Sequence, residues 1–302
     1  MILSVHSTNG DVPPIRPIVI SAKQMLRLLR KRLRKVDVSR LTKKVSSVRG
    51  VHHLRVATRK AYAALTVCKP LIPKSLVRKL ERVLKSQRKA LGAVRDWDVL
   101  IARVLGTPAD EKSDLRTDLL LFLACERERA WRKACRDWEE SGSVRSLGNT
   151  KRLAKACRIS GEELFRVAVH RPLSAINEGV SGLQRGEALD ITALHQFRIA
   201  CKELRYLLEY QKEVAGDGFE QLVSASSLEL LSEAQQRLGD LHDCSRRPEL
   251  LRSAHRPANK GVHKWVRNAI SKAESRLPGE IERYLRWQRQ ADFAGMLSRL
   301  AS

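Results

Sequence analysis

A histidine followed by cations at helical spacing occurs twice in the chain. His52, Arg55, Arg59 and Tyr62 stand at i, i+3, i+7 and i+10, and His195, Arg198, Lys202 and Arg205 repeat the spacing. On an α-helix these positions share one face, and ten residues rise roughly 15 Å. The chemistry open to such a row is anion binding. An Arg fork holds two oxygens at once, while Lys and protonated His act as point charges. Two such rows facing each other would form a cage of positive charge, and the natural guest of that cage is a polyanion.

A second element recurs behind each row. Lys89-Ala90-Leu91-Gly92-Ala93-Val94-Arg95-Asp96 ends 44 residues after His52, and Gln236-Arg237-Leu238-Gly239-Asp240-Leu241-His242-Asp243 ends 48 residues after His195. Two elements in the same order at nearly the same separation indicate an internal duplication. The candidate anion ligands extend to Lys60 beside the first row, to Lys85, Arg88, Lys89 and Arg95 on the next helix, and to Arg237 and His242 in the second copy. Arg27, Arg30 and Lys31 add cations on the first helix. Gly92 and Gly239 are expected to let a backbone or an extended ligand come close.

Asp96 and Asp243 each follow a cation. They could ligate a metal or act as a base on phosphate, but an internal ion pair that holds an Arg or His is the favoured reading. One Asp per copy is too few for a two-metal centre, although Asp98 and Asp240 are near in sequence. No nucleophile–base pair, P-loop or Cys/His metal cluster is present. No catalytic residue, metal or cofactor is expected.

Helices must position these rows. Ser21 can cap a helix carrying Met25, Leu26, Leu29 and Leu33 at helical spacing. Further helices are expected over about Ser47 to Cys68, Ser75 to Leu105 and Asp110 to Glu140, with Pro70, Pro73, Gly106 and Pro108 as breaks. Ser141-Gly142-Ser143 and Gly148-Asn149 mark a junction. A second set runs from Lys151 toward His170, with Pro172 a kink or stop. Segments from Ile191 to Val214, Phe219 to Cys244, Val262 to Arg276 and Gly279 to Leu300 follow. No segment alternates with period two, so the fold class is all-α. Residues 1–19, with Pro13, Pro14 and Pro17, read as a lead-in.

The chain has 302 residues, 43% hydrophobic, with 58 Lys+Arg against 33 Asp+Glu and a formal charge of +25. Most of the excess is local. Residues 20–105 hold 24 basic residues and four acidic ones, Asp37, Glu81, Asp96 and Asp98. Such a density points to nucleic acid, polyphosphate or a lipid surface. Six cysteines without a CxxC pair read as small hydrophobes in a reduced, cytosolic compartment. The N-terminus shows no secretory pattern, and the longest apolar run, Leu119 to Cys125, is too short to span a bilayer.

The two histidine segments, His52-His53-Leu54-Arg55-Val56-Ala57-Thr58-Arg59-Lys60 and His195-Gln196-Phe197-Arg198-Ile199-Ala200-Cys201-Lys202-Glu203-Leu204-Arg205-Tyr206, resemble the CHAD family of histidine-bearing α-helical domains. So do Leu91-Gly92-Ala93-Val94-Arg95-Asp96-Trp97-Asp98 and Leu238-Gly239-Asp240-Leu241-His242-Asp243. The resemblance covers about residues 20–300. It implies two four-helix bundles related by pseudo-two-fold symmetry, residues 20–143 and 149–302, with a basic channel between them. It further implies that the channel binds inorganic polyphosphate without catalysis. Relatives are often fused to a triphosphatase-type domain; no strand-borne ExExK motif is present, and the chain reads as a stand-alone module. Tyr62 stands where the family usually places another Arg, and Glu203 replaces a commonly basic residue. The second half is therefore expected to contribute less charge.

Nucleic acid is the main rival partner. Aromatic content is only 5%, and the basic rows lack interleaved aromatics, which argues against base stacking on single strands. A duplex-phosphate binder and a metal-dependent polyphosphate or triphosphate hydrolase remain as alternatives, as does a structural protein at polyphosphate granules. A cytoplasmic or granule-associated location without membrane insertion is expected.

Overall fold

Ser21 starts the first helix as the sequence suggests. Its Oγ accepts from the Lys23 amide at 3.2 Å, and Gln24 Oε1 accepts from the Ser21 amide at 3.2 Å, closing a capping box. This computed structural model describes residues 21–38, 41–106, 113–142, 144, 160–184, 191–216 and 225–301. The elements are α1 Ala22–Val36, the short α2 Lys43–Ser46, α3 Val48–Cys68, a 3-10 turn Lys69–Leu71 and α4 Lys74–Leu105. After these come α5 Ser113–Ser141, α6 Gly161–Gln184, α7 Ile191–Ala215, α8 Ala225–Arg252, α9 Lys260–Gln290 and α10 Phe293–Ala301. Among the described residues there is no strand.

Neighbours in each half pack in chain order. In the first, α1 lies on α3, α3 on α4 and α4 on α5; in the second, α6 lies on α7, α7 on α8 and α8 on α9. The same ladder is thus built twice. Between halves, α3 meets α7 and α6, α4 meets α8, and α5 meets α9. The helices that carry the histidine rows therefore sit at the centre.

Apolar burial ties the halves together. Met25, Leu29, Leu54 and Leu65 of the first half share one core with Leu204, Leu207 and Leu208 of the second. A separate cluster joins Trp97, Leu100 and Leu123 to Leu251, Val262 and Val266. Each fully buried Leu or Val contributes about 1.5–3 kcal/mol, so neither half keeps its core alone. Tyr210 Oη donates to the Met25 carbonyl at 2.7 Å, a polar clamp between the same two helices. Trp97 and Tyr206 are core residues. Cys68, Cys201 and Cys244 are buried, but Cys125 is exposed.

Three helices run through a proline. Pro172, Pro248 and Pro278 lie inside α6, α8 and α9. The break expected near Pro278 is absent: one helix runs from Lys260 to Gln290, and the chain turns at Ala291, which is extended. A helix-interior proline removes one amide donor and crowds the preceding turn, costing about 3 kcal/mol. Burial on both sides offsets that cost, through Val266 and Ala273 before Pro278 and Tyr284 and Gln288 after it. The lead-in 1–19, the Gly148-Asn149 junction and the starts expected at Asp110, Lys151 and Phe219 fall outside the described residues.

Candidate anion-binding site

The packing of α3 on α7 brings the two rows to one seam. Ser47 caps α3, its Oγ accepting from the Gly50 amide at 3.0 Å. This fixes the phase at which α3 presents His52, Arg55 and Arg59. Arg55 is half-buried and donates through Nη1 to the carbonyls of Leu91 at 3.1 Å and Gly92 at 3.0 Å on α4. Burial lowers its pKa to about 10, with the fields of Arg59, Arg95 and Arg198 in the same direction and Asp96 opposing them. It still carries its charge at neutral pH.

Arg198 and Lys202 of α7 face this group. Burial lowers the Arg198 pKa; Arg59 adds to that, while Asp243 and Asp96 oppose it. Among the described residues its buried Nε has no hydrogen-bond partner. Lys202 is pushed down to about 6, by burial first and then by Arg198, Arg59 and Arg55, with Asp243 pulling the other way. Among the described residues, Arg59, Arg95, Arg198 and Lys202 have no carboxylate within 4.0 Å. Cations held together in partial burial repel one another more strongly than in water. An anion placed between them relieves that repulsion.

Each half sets its histidine against the residue that precedes the repeated Asp. In the second half, His195 and His242 lie against each other with ring centroids 5.1 Å apart and planes tilted by 30°. Burial, then Arg198, His195, Lys202 and Arg246, lower His242 to about 3. Burial followed by Arg198, Lys202 and Arg246 lowers His195. In the first half, Arg95 takes the place of the second imidazole. His52 lies at the exposed edge, its pKa lowered by partial burial and then by Arg95, His53, Arg55 and Arg59.

The aspartates behave as counter-ions. Asp96 pairs with Arg246 at 3.8 Å. Burial raises the pKa of both Asp96 and Asp243; Arg55, Arg246 and Arg198 oppose this at Asp96, and Arg198 and Lys202 at Asp243. Asp98 turns the other way, accepting from Arg127 Nε on α5 at 2.6 Å, while Arg127 also donates to the Ser46 carbonyl at 2.6 Å. Among the described residues no three His, Cys, Asp or Glu side chains come together as a metal-binding group.

The remaining candidates are not gathered at the seam. Lys85 and Arg88 are exposed and lie against the Tyr62 ring, at 5.9 and 5.6 Å from its centroid. Lys89, Arg27 and Arg30 are exposed. Lys31 lines an open groove of about 1000 Å³ between α1 and α3, with Lys35, Arg49, His52, His53 and Lys60. Lys60 and Arg205 share Glu209, at 2.9 and 3.7 Å. Arg237 pairs with Glu233 at 2.8 Å and stacks on Trp287 at 4.9 Å. These three cations are already engaged.

Among the described residues, Gly92 and Gly239 have open space beside them. A Cβ on Gly92 would meet only Arg55 Nη1, at 3.9 Å, and one on Gly239 would meet nothing within 4 Å.

Three cations at or beside the seam do not stand out in the sequence. Arg246 lies one turn after His242 on the same face, a spacing that could have flagged it. Arg103 lines a small cavity with Asp96, Asp243 and Arg246. Arg32 interrupts the apolar stripe of α1; it is buried, donates to the Lys60 carbonyl at 2.9 Å, pairs with Glu213 at 3.0 Å and lies over Tyr210. Only the tertiary packing gives it a role, which is to brace α1 against α3 and α7.

The family model for the CHAD domain matches residues 24–252. The crystal structure of the CHAD domain from the plant Ricinus communis is similar, with a TM-score of 0.63 and 19% identity over 94% of this chain and 93% of that one. At that identity the likeness is one of fold. No match is found among curated proteins. No helix among the described residues is long and apolar enough to cross a membrane.

Proposed function

The chain belongs to the CHAD domain family, and we propose that it binds inorganic polyphosphate, without catalysis, along the seam between α3 and α7. The observation that carries this reading is the convergence of Arg59, Arg95, Arg198 and Lys202 from both halves with, among the described residues, no carboxylate of their own within 4.0 Å. A flexible chain of phosphates supplies the missing negative charge along the whole seam. A single small anion would neutralise only part of it.

In this reading the two ladders are four-helix bundles, residues 20–143 and 149–302, related by a pseudo-two-fold axis, and the seam is the basic channel between them. Arg55, Arg59, Arg95, His195, Arg198, Lys202 and His242 line its centre. His52, Lys85, Arg88, Lys89, Lys31, Arg27 and Arg30 extend the path outward. Lys60, Arg205 and Arg237 join only by exchanging a carboxylate for phosphate. The protein would work in the cytoplasm, at polyphosphate granules where these exist. Phosphate-backbone binding to duplex nucleic acid is the rival, and the seam disfavours it because the unpaired cations are half-buried rather than displayed on an open face.

The test is a titration with labelled long-chain polyphosphate at rising salt, with duplex DNA and heparin as competitors. Binding that outlasts salt and competitor levels sufficient to remove DNA, and that Arg55→Ala, Arg59→Ala and Arg198→Ala each weaken, supports the reading. Equal displacement by every polyanion reduces it to a generic basic surface.

A further inference from the structure

The second half carries a cavity that a bare phosphate chain does not use. It encloses about 410 Å³ beside the first turn of α7, within the range of small-ligand sites. Leu194, Leu238 and Leu241 form an apolar wall, and the adjoining His195 and His242 rings form another. Thr192 and Ser245 bring hydroxyl groups to the rim. Ser245 Oγ donates to the His242 carbonyl at 2.9 Å, which leaves it free to accept. Arg198 and Arg246 close the side toward the seam.

Phosphate gains nothing from three leucines. The lining suits a ligand that is flat and apolar at one end and polyanionic at the other. The imidazole pair supports the same choice. Burial and the surrounding cations keep both rings neutral at physiological pH, and neutral aromatic rings stack on a heterocycle without a competing demand for water. The corresponding position in the first half is Arg95, so the aromatic wall belongs to the second half.

We propose that this cavity binds the base and sugar of a nucleoside polyphosphate, with its phosphates directed past Arg198 and Arg246 into the seam. The inference rests on the polyphosphate reading for the phosphate end only. It makes the second half a recognition site for a nucleotide as well as a stretch of channel.

The experiment compares ATP with methyl triphosphate, which carries the same esterified triphosphate and charge without base or sugar. Both are titrated without divalent metal, with long-chain polyphosphate run alongside. ATP is expected to bind about tenfold tighter or more, the scale of one base stack. Thr192→Gln, which places a longer non-aromatic side chain over the mouth at an exposed rim position, should bring ATP down toward the methyl triphosphate level while leaving methyl triphosphate and polyphosphate binding unchanged. Equal affinity of the two triphosphates while polyphosphate binds overturns this inference alone. Failure of all three ligands to bind overturns it together with the polyphosphate reading.

Discussion

Asp96 Oδ2 on α4 lies 3.8 Å from Arg246 Nη2 on α8, an ion pair that reaches across the two halves of the chain. In a seam dominated by cations, this carboxylate is an internal counter-ion. Asp96→Asn should strengthen polyphosphate binding several-fold, because one competing negative charge is gone. The free protein should keep its stability or gain slightly, because burial already outweighs the attraction of Arg55, Arg246 and Arg198 for this carboxylate and the Arg246 pair is partly exposed. Isothermal titration and thermal melts read both effects. Weaker binding at unchanged Tm would instead place Asp96 against the ligand.

Binding should couple to proton uptake. Lys202 holds its proton only below about 6 in the free protein, and a polyanion at the seam restores its ordinary basicity. Above that pH, binding takes up a proton. Affinity should therefore rise by up to about tenfold per pH unit as pH falls from roughly 9 toward 6, then level off. His52 and His195, both lowered in the free protein, add to the rise with the same sign. Lys202→Arg should flatten the profile, which repeated titrations at stepped pH would show.

The free protein should lose stability on acidification. The unfolded chain protonates His242 near 6.5, but the folded one only at about 3. Between those values the unfolded state binds more protons, so stability present above about pH 6.5 is lost as pH falls. His242→Asn should remove that part of the loss, as denaturant melts at pH 7 and 4 would record. Lys202→Met should raise Tm by roughly 2–4 °C, because folding no longer strips a lysine of its proton, and should weaken polyphosphate binding. A variant that loses both stability and affinity would place Lys202 in the structural core.

Salt dependence should report how many cations hold phosphate. Arg55→Ala, Arg59→Ala and Arg198→Ala each remove one charge from the seam. Each should make the slope of log affinity against log salt shallower by roughly 0.7–0.9, the scale found for nucleic-acid polyanions. Arg237→Ala should leave the slope unchanged, because Arg237 is already held by Glu233 and Trp287.

Two glycines should respond in opposite directions to alanine. Gly92 has room for a Cβ, so Gly92→Ala should stabilise the helix by about 0.5–1 kcal/mol. A Cβ on Gly179 would stand 2.5 Å from Phe197 Cδ2. Gly179→Ala should cost about 1–3 kcal/mol by forcing α6 off α7. Chemical denaturation of the two variants checks both signs.

Local chemistry was readable from the chain alone. Apolar periodicity, Ser21 as a cap, and the repeated His-x-x-Arg rows follow from side chains within a few residues of one another, so they announce helices and cationic faces. Whether a cation is available for a ligand is a different matter, because it depends on a partner far away in sequence. Lys60 meets Glu209, Arg237 meets Trp287 and Arg32 meets Glu213 only after α1, α3, α7, α8 and α9 have packed. Likewise Pro278 looks like a stop from its own backbone chemistry, and the burial of residues on either side carries the helix through it. The sequence thus determined two helical copies bearing anion-binding rows. Tertiary packing alone decided which cations meet without a counter-ion, since burial and long-range pairing set the charge each one can offer.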